Sequence, residues 1–201
     1  MPAPTHLRLL CHAATSAVRT SAFSADEPID SQGRRKLAAL PFRLGHADRT
    51  WTSPALRARQ TAQGLGLVAS VEPMLRDCDY GRWAGRAFDE VAAQEPDAIA
   101  EWLRDPASAP HGGESTLSLI ERVAAWLDAQ NAPGRIVAIT HASVIRAAIV
   151  HAIEAPPRSF WRIDVAPLSL TRLSGANGRW NLASIGRTEE QQGPDADDIE
   201  A

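Results

Sequence analysis

Three times in this chain an apolar run stops at a polar residue and a helix-forming segment follows. The junctions are L-C-H-A-A-T at residues 10–15, T-S-P-A-L-R-A-R-Q-T-A at 52–62 and I-T-H-A-S at 139–143. Each delivers one side chain able to hold or attack a phosphoryl group: His12, Arg57 and His141. In an open α/β sheet the carboxyl ends of the parallel strands share one crevice, and ligands bind there. The repeated junction therefore predicts a single anion pocket at one sheet edge. It also confines the fold to strands alternating with helices, an α/β three-layer sandwich around a mainly parallel central sheet.

The remaining elements fit that frame. Residues 7–11 read as a first strand, and Asp30 is placed to cap a helix over 31–40. A second strand over 48–52 leads to Ser53 as helix N-cap and Pro54 at the first helical position, with the helix running to about Gly64. A third strand is expected at 71–75, followed by the Gly- and aromatic-rich loop R-D-C-D-Y-G-R-W-A-G. Helical spacing over 88–103 is broken at Pro96. Ser115 caps a long amphipathic helix over 116–130, with Leu117, Ile120, Val123, Ala124 and Leu127 as its apolar stripe. A very apolar strand at 136–140 passes into a helix over 144–153. Late strands are expected at 160–165, 169–174 and 180–184, the last two joined by a turn at Ala176, Asn177 and Gly178.

Length and composition narrow the classes. A chain of 201 residues is one domain by length, and 44% hydrophobic with 22% charged residues is ordinary for a globular protein. Cys11 and Cys78 give neither a disulfide framework nor a metal-ligand spacing, which fits a reducing, cytoplasmic setting. The first residues carry no readable signal peptide, and no run approaches the roughly 18 apolar residues of a membrane span. Six acidic residues and no Lys or Arg fall at 188–201, which leaves residues 1–187 near +3 out of a total of −3. Residues 1–187 thus read as the folded domain and 188–201 as an acidic, disordered tail. A slightly basic body suits a small anion and falls well short of a nucleic-acid footprint.

Taken one at a time, the chemical residues are ambiguous. His12 and His141 at strand ends serve equally as nucleophile and oxyanion donor or as structural histidines. Arg57 near a helix start suits a phosphate held by a guanidinium and by free N–H groups, and also suits an ordinary surface. The order of segments is more specific. Cys11-His12-Ala13-Ala14-Thr15, the run from Ser53 to Ala62, L-R-D-C-D-Y-G-R-W-A-G, Gly112-Gly113-Glu114-Ser115 and His141 followed by V-I-R-A resemble the successive motifs of the histidine phosphatase superfamily. That group contains cofactor-dependent phosphoglycerate mutases and small-molecule phosphatases.

The resemblance, over about residues 7–185, implies a phosphoglycerate mutase-like fold and a phosphatase of a small phosphorylated metabolite, here with weakened activity; no cofactor is expected, nor a metal, since two histidines so far apart in the chain have no third or fourth ligand beside them. His12 would be the phosphoryl acceptor, Arg57 and His141 the phosphate ligands, and Asp77 the proton donor. The family more often has Glu at that position; Asp79 is the alternative donor. Thr15 and Glu114 would line the substrate site, and Trp83, Phe88 and Trp102 would either wall it or belong to the core. Mutase-type transfer is the less favoured reading, because the stretch from Gly85 to Gly112 is shorter than in the mutases.

The departure lies at Cys11, where the family places Arg. Ala13 stands in place of Gly, and Val18 where many members place Asn. A missing guanidinium removes charge-assisted, often bidentate phosphate bonds. Three outcomes remain open on sequence: Arg19 or Arg82 compensates, the site keeps an anion pocket without turnover, or Cys11 itself reacts.

Overall fold

The computed structural model describes residues 4–40, 44–130, 132–176 and 178–187. Strands β1 (Thr5–Cys11), β2 (Arg49–Thr52), β3 (Ser70–Val71), β4 (Gly134–Thr140), β5 (Leu170–Ala176) and β6 (Arg179–Arg187) form one sheet in the order β3-β2-β4-β1-β5-β6. The pairs β3–β2, β2–β4 and β4–β1 are parallel, whereas β5 runs antiparallel to both β1 and β6. Helices α1 (Ser16–Arg19), α2 (Ser31–Ala38), α3 (Leu56–Gly64), α4 (Phe88–Gln94), α5 (Pro96–Arg104), α6 (Thr116–Asp128) and α7 (Ala142–Ala152) connect them.

Alternation along the central strands explains the three layers. Leu7, Leu9 and Cys11 of β1 and Ile136 and Ala138 of β4 face α6 and α7 in one core. Their neighbours Leu10, Val137 and Ile139 face the other way, packing with Ala58 and Ala62 of α3. Side chains of a strand point to opposite faces in turn. A strand that is apolar at every position must therefore be covered on both sides, as parallel sheets are.

Several sequence expectations are corrected here. The third strand stops after Val71, because Pro73 supplies no ladder N–H and opens a 3₁₀ turn over Pro73–Leu75. Residues 160–165 are no strand: Pro157–Arg162 is 3₁₀, and Arg146 Nε donates to the Ile163 carbonyl at 2.7 Å. In α6 the buried stripe includes Leu119 and Trp126, while Leu117 and Ala124 sit at its margin. Helix α3 begins at Leu56 with Ala55 as its N-cap, so Ser53 does not cap it. The caps at Asp30 and Ser115 form, accepting from Gly33 and Ser118 N–H, and the break before Pro96 separates α4 from α5. The hairpin between β5 and β6 forms with Ala176 opposite Arg179; Asn177 and residues 188–201 lie outside the described residues. Trp83 and Trp102 are buried with Phe23, Val91 and Ile99 in a satellite core, and Phe88 packs against it.

Strand register places the three junctions level. Cys11 pairs with Thr140 and Thr52 with Ile139, so β1, β2 and β4 end together. The ladder runs one residue further, His12 N–H donating to the Thr140 carbonyl and Ser53 N–H to that of Ile139, both at 2.9 Å. The loop after His12 is braced from outside by α2. A Cβ on Gly33 would lie 2.3 Å from the Ala14 carbonyl oxygen, so the two backbones approach as only glycine permits. Gly33→Ala is expected to cost about 1–3 kcal/mol through that clash, although alanine gains roughly 1 kcal/mol of helix propensity. Urea unfolding checks the sign, and a stabilised variant would contradict the close packing.

Candidate functional site

Parallel register brings His12, Ser53, Arg57 and His141 together, and the segment after the 3₁₀ turn adds Asp77. All but Asp77 are buried, and its side chain is only 15% exposed. Arg57, the second residue of α3, is the hub. Its Nε donates to His12 Nε2 at 3.3 Å, Nη1 to the Ala25 carbonyl at 2.6 Å and Nη2 to Asp77 Oδ2 at 2.6 Å. Glu27 Oε2 lies 3.9 Å from Nη1. A guanidinium buried this completely needs such partners, since an unpaired charge there is prohibitive.

The histidines are oriented by their neighbours. His12 Nδ1 sits 2.8 Å from the Ala13 carbonyl, an acceptor only, so the ring proton belongs on Nδ1 and Nε2 carries the lone pair. Burial, then Arg57, lower the His12 pKa from its ordinary value and keep the ring neutral. His141 packs edge-on to His12, ring centroids 5.1 Å apart, with Nε2 2.7 Å from Ser53 Oγ and Nδ1 3.3 Å from Asp77 Oδ2. Burial pushes His141 down to about 3 against the pull of Asp77.

Asp77 is held at both oxygens. Oδ1 accepts from the Ser143 hydroxyl and from Cys78 N–H at 2.9 Å, and Oδ2 faces Arg57 and His141. Burial alone would raise its pKa; His141, Arg57 and Ser143 outweigh burial and hold the carboxyl below the usual carboxylate range. Asp79 is elsewhere, its carboxylate accepting Gly81 N–H at 2.9 Å in a local turn. Of the two acidic candidates, geometry brings only Asp77 to the histidines.

Other expected residues are placed differently. Thr15 caps α1 and donates to Glu27 Oε1 at 3.0 Å, so it meets the site through Glu27. Glu114 is taken up by Arg122, with bonds of 2.7 and 2.8 Å, and by Arg76 at 3.2 Å, away from the side chains of His12, Ser53, Arg57, Asp77 and His141. Arg19 is spent on Asp30 and Gln32, and Arg82 on Glu95 and the Pro110 carbonyl, so neither replaces the missing guanidinium. Cys11 is buried in the core beneath the site, and burial raises its thiol to about 12, which keeps it protonated and unreactive. Ser53, Ser143 and Glu27 were the residues missed. Ser53 lies in its motif, where the local pattern makes it a helix cap; Ser143 closes the I-T-H-A-S junction without a cue of its own, and nothing in the sequence ties Glu27 to this centre. Among the described residues, no group of three or more His, Cys, Asp or Glu could hold a metal ion, and no helix is long and apolar enough to cross a membrane.

These buried groups dictate the acid response. Both histidines bind protons more readily unfolded, where the ordinary value is 6.5, so stability drains as pH falls from there towards the folded value of His141, about 3. Asp77, depressed from 3.8, adds stability above that value and loses it on further acidification. The urea midpoint is expected to fall between pH 7 and 5, with roughly 1–2 kcal/mol attributable to His141. His141→Gln should flatten the slope. A wild-type midpoint constant over that range would contradict neutral buried rings.

Known proteins share both sequence and architecture with this chain. It is 27% identical over 199 residues to a bifunctional protein of Mycobacterium tuberculosis, covering 92% of this chain and 54% of that protein. The chain thus spans about half the length of the first curated relatives it matches. Glucosyl-3-phosphoglycerate phosphatase of M. tuberculosis is 30% identical over 168 residues, 75% of each chain. The solved mycobacterial glucosyl-3-phosphoglycerate phosphatase in complex with vanadate superposes with a TM-score of 0.78 at 28% identity, covering 90% of this chain and 98% of that one. The model of branch 1 of the histidine phosphatase superfamily matches residues 7–188, and the chain belongs to that superfamily.

Proposed function

We propose that the protein is a phosphoric monoester hydrolase that transfers the phosphoryl group of a small phosphorylated metabolite to His12 and then to water. The observation that carries this reading is the bare Nε2 of His12, set by the Nδ1 bond to the Ala13 carbonyl and aimed at Arg57. A neutral imidazole with an unprotonated Nε2 beside a guanidinium becomes the nucleophile once the Arg57 N–H groups turn from it to the phosphoryl oxygens. The phosphatase relatives, one of them holding vanadate, support the same class.

The chemistry balances with the groups present. The incoming phosphoryl group displaces Asp77 from Arg57, and the dianion beside the freed carboxyl favours its protonated form. His12 Nε2 attacks phosphorus as the ester P–O bond breaks, and Asp77 gives its proton to the leaving oxygen. Water then attacks the phosphohistidine, Asp77 takes the water proton, and P–N cleavage releases inorganic phosphate and neutral His12. Arg57 and His141 stabilise the oxyanion in both steps. Asp77 is the proton donor, as general acid and then base.

One observation favours a slower enzyme or an anion-binding protein as the second reading. Among the described residues, Arg57 is the only cation whose side chain is hydrogen-bonded to the central side chains, and Asp77 and Glu27 already face it. Hydrolysis of an aryl phosphate in the presence of a chelator tests the reading. Wild type should turn over, and His12→Ala should lose more than about 10³-fold in kcat. Absence of turnover with retained vanadate binding would leave a binding protein, and activity surviving in His12→Ala would overturn the phosphohistidine.

A further inference from the structure

We infer that Ser53 is a positioning residue for His141: its hydroxyl fixes the imidazole proton on Nδ1 and makes that N–H a donor to the oxyanion held by Arg57. The inference rests on the phosphatase reading for its functional part, and on geometry alone for the tautomer.

Ser53 is fully buried, so its hydroxyl hydrogen has no solvent to turn to. Its oxygen already accepts Ala55 N–H at 3.2 Å, and His141 Nε2 stands 2.7 Å away. With the ring proton on Nδ1, Ser53 donates to the bare Nε2 and the Nδ1–H faces the Asp77 carboxylate. With the proton on Nε2, the serine hydrogen loses its acceptor and a nitrogen lone pair faces Asp77 Oδ2 at 3.3 Å. The first arrangement gives the serine hydrogen an acceptor and turns an N–H to the carboxylate, whereas the second sets two lone pairs against each other.

The same geometry defines what the proton is for. Among the described residues, His141 Nδ1 is a buried nitrogen without an aligned hydrogen-bond partner. It stands 3.3 Å from Asp77 Oδ2, which Arg57 Nη2 contacts at 2.6 Å. One carboxylate oxygen thus occupies a seat formed by two N–H donors, the seat a phosphoryl oxygen requires. Asp77 remains anchored through Oδ1 to Ser143 and Cys78 N–H when that oxygen is displaced. Ser53 keeps the His141 donor turned to the seat throughout, from a position out of reach of the substrate.

Long-range ¹H–¹⁵N correlation spectra of ¹⁵N-histidine-labelled protein, with His141 assigned by its loss in His141→Gln, read the tautomer directly. Wild type should show protonated Nδ1 and bare Nε2, Ser53→Ala a mixed or inverted population, and Ser53→Thr the wild-type pattern. In aryl phosphate hydrolysis Ser53→Ala should lose about 10–100-fold in kcat, the scale on which outer-shell partners of histidine ligands act, with KM changing less. Protonated Nε2 in the wild type overturns the inference without any variant. So does a Ser53→Ala protein that keeps the single wild-type tautomer. A wild-type protein with Nδ1–H and no turnover removes the phosphatase reading and leaves the tautomer assignment to Ser53 standing.

Discussion

The buried Arg57 guanidinium is the interaction on which the rest of this site depends. It is held by a histidine nitrogen, a loop carbonyl and a carboxylate, each on a different segment of the chain. Charged hydrogen bonds of this kind are short and directional, so they fix distances between segments that apolar packing would leave loose. The loop that carries Ala25 and Glu27 is pinned to the same helix twice more, by Asp26 on the Leu56 N–H and by Gln60 on the Ile29 N–H. Removing the guanidinium would strand two carboxylates beside neutral histidines, and a buried pair broken on one side typically costs about 3–5 kcal/mol. Function and stability are here one network.

That network also explains how the site lives without the arginine expected at position 11. The cysteine has joined the core: its backbone completes the sheet through Ser169 and Leu168, and its thiol lies among apolar neighbours of α6 and α7. With one guanidinium in place of two, Asp77 can neutralise the remaining charge completely. The centre is consequently closed on itself, and the anion of the proposed reaction would have to compete with Asp77 before meeting Arg57. A second arginine would leave a donor open for phosphate while Asp77 stayed bound. On the proposed phosphatase reading, the substitution acts first on anion affinity.

The sequence was most informative where local chemistry and global topology coincide. The junctions at His12, Arg57 and His141 were legible because an apolar strand ending in a polar residue has few other uses, and the strand register then aligned them. Caps at Asp30 and Ser115 were legible for the same reason: a short polar side chain before a helix satisfies free N–H groups. Ser53 departs from that rule because its hydroxyl turns to a tertiary partner, His141 Nε2, while its oxygen accepts Ala55 N–H ahead of the helix, which no local pattern reveals. The strand expected at 160–165 failed because Phe160 and Trp161 are apolar for packing against the helical layer and not for pairing. Glu114 failed through charge: Arg122, two helical turns on, claims its carboxylate. Arg19 and Arg82 were sequence neighbours of the site whose own acidic partners lie closer.

Choosing between the two carboxylates shows what backbone placement decides. Asp77 and Asp79 stand two residues apart, a spacing that on a strand would turn both to one side, so residue type and spacing give them equal standing. The Thr140 hydroxyl donates to the Leu75 carbonyl at 2.8 Å and fastens this segment to the end of β4, two residues before Asp77. Two residues beyond, Asp79 lies where the chain turns against the Gly112–Gly113 loop; a Cβ on Gly113 would come within 2.1 Å of the Asp79 carbonyl. The carboxylate next to the sheet edge meets the histidines, and the one next to the loop stabilises the turn. Asp77, one methylene shorter than the glutamate more usual in the superfamily, is anchored through Oδ1 with only Oδ2 directed to the guanidinium. A short acid fixed at one oxygen can exchange a single ligand at the other, and that exchange is the movement the proposed phosphatase would require of Asp77.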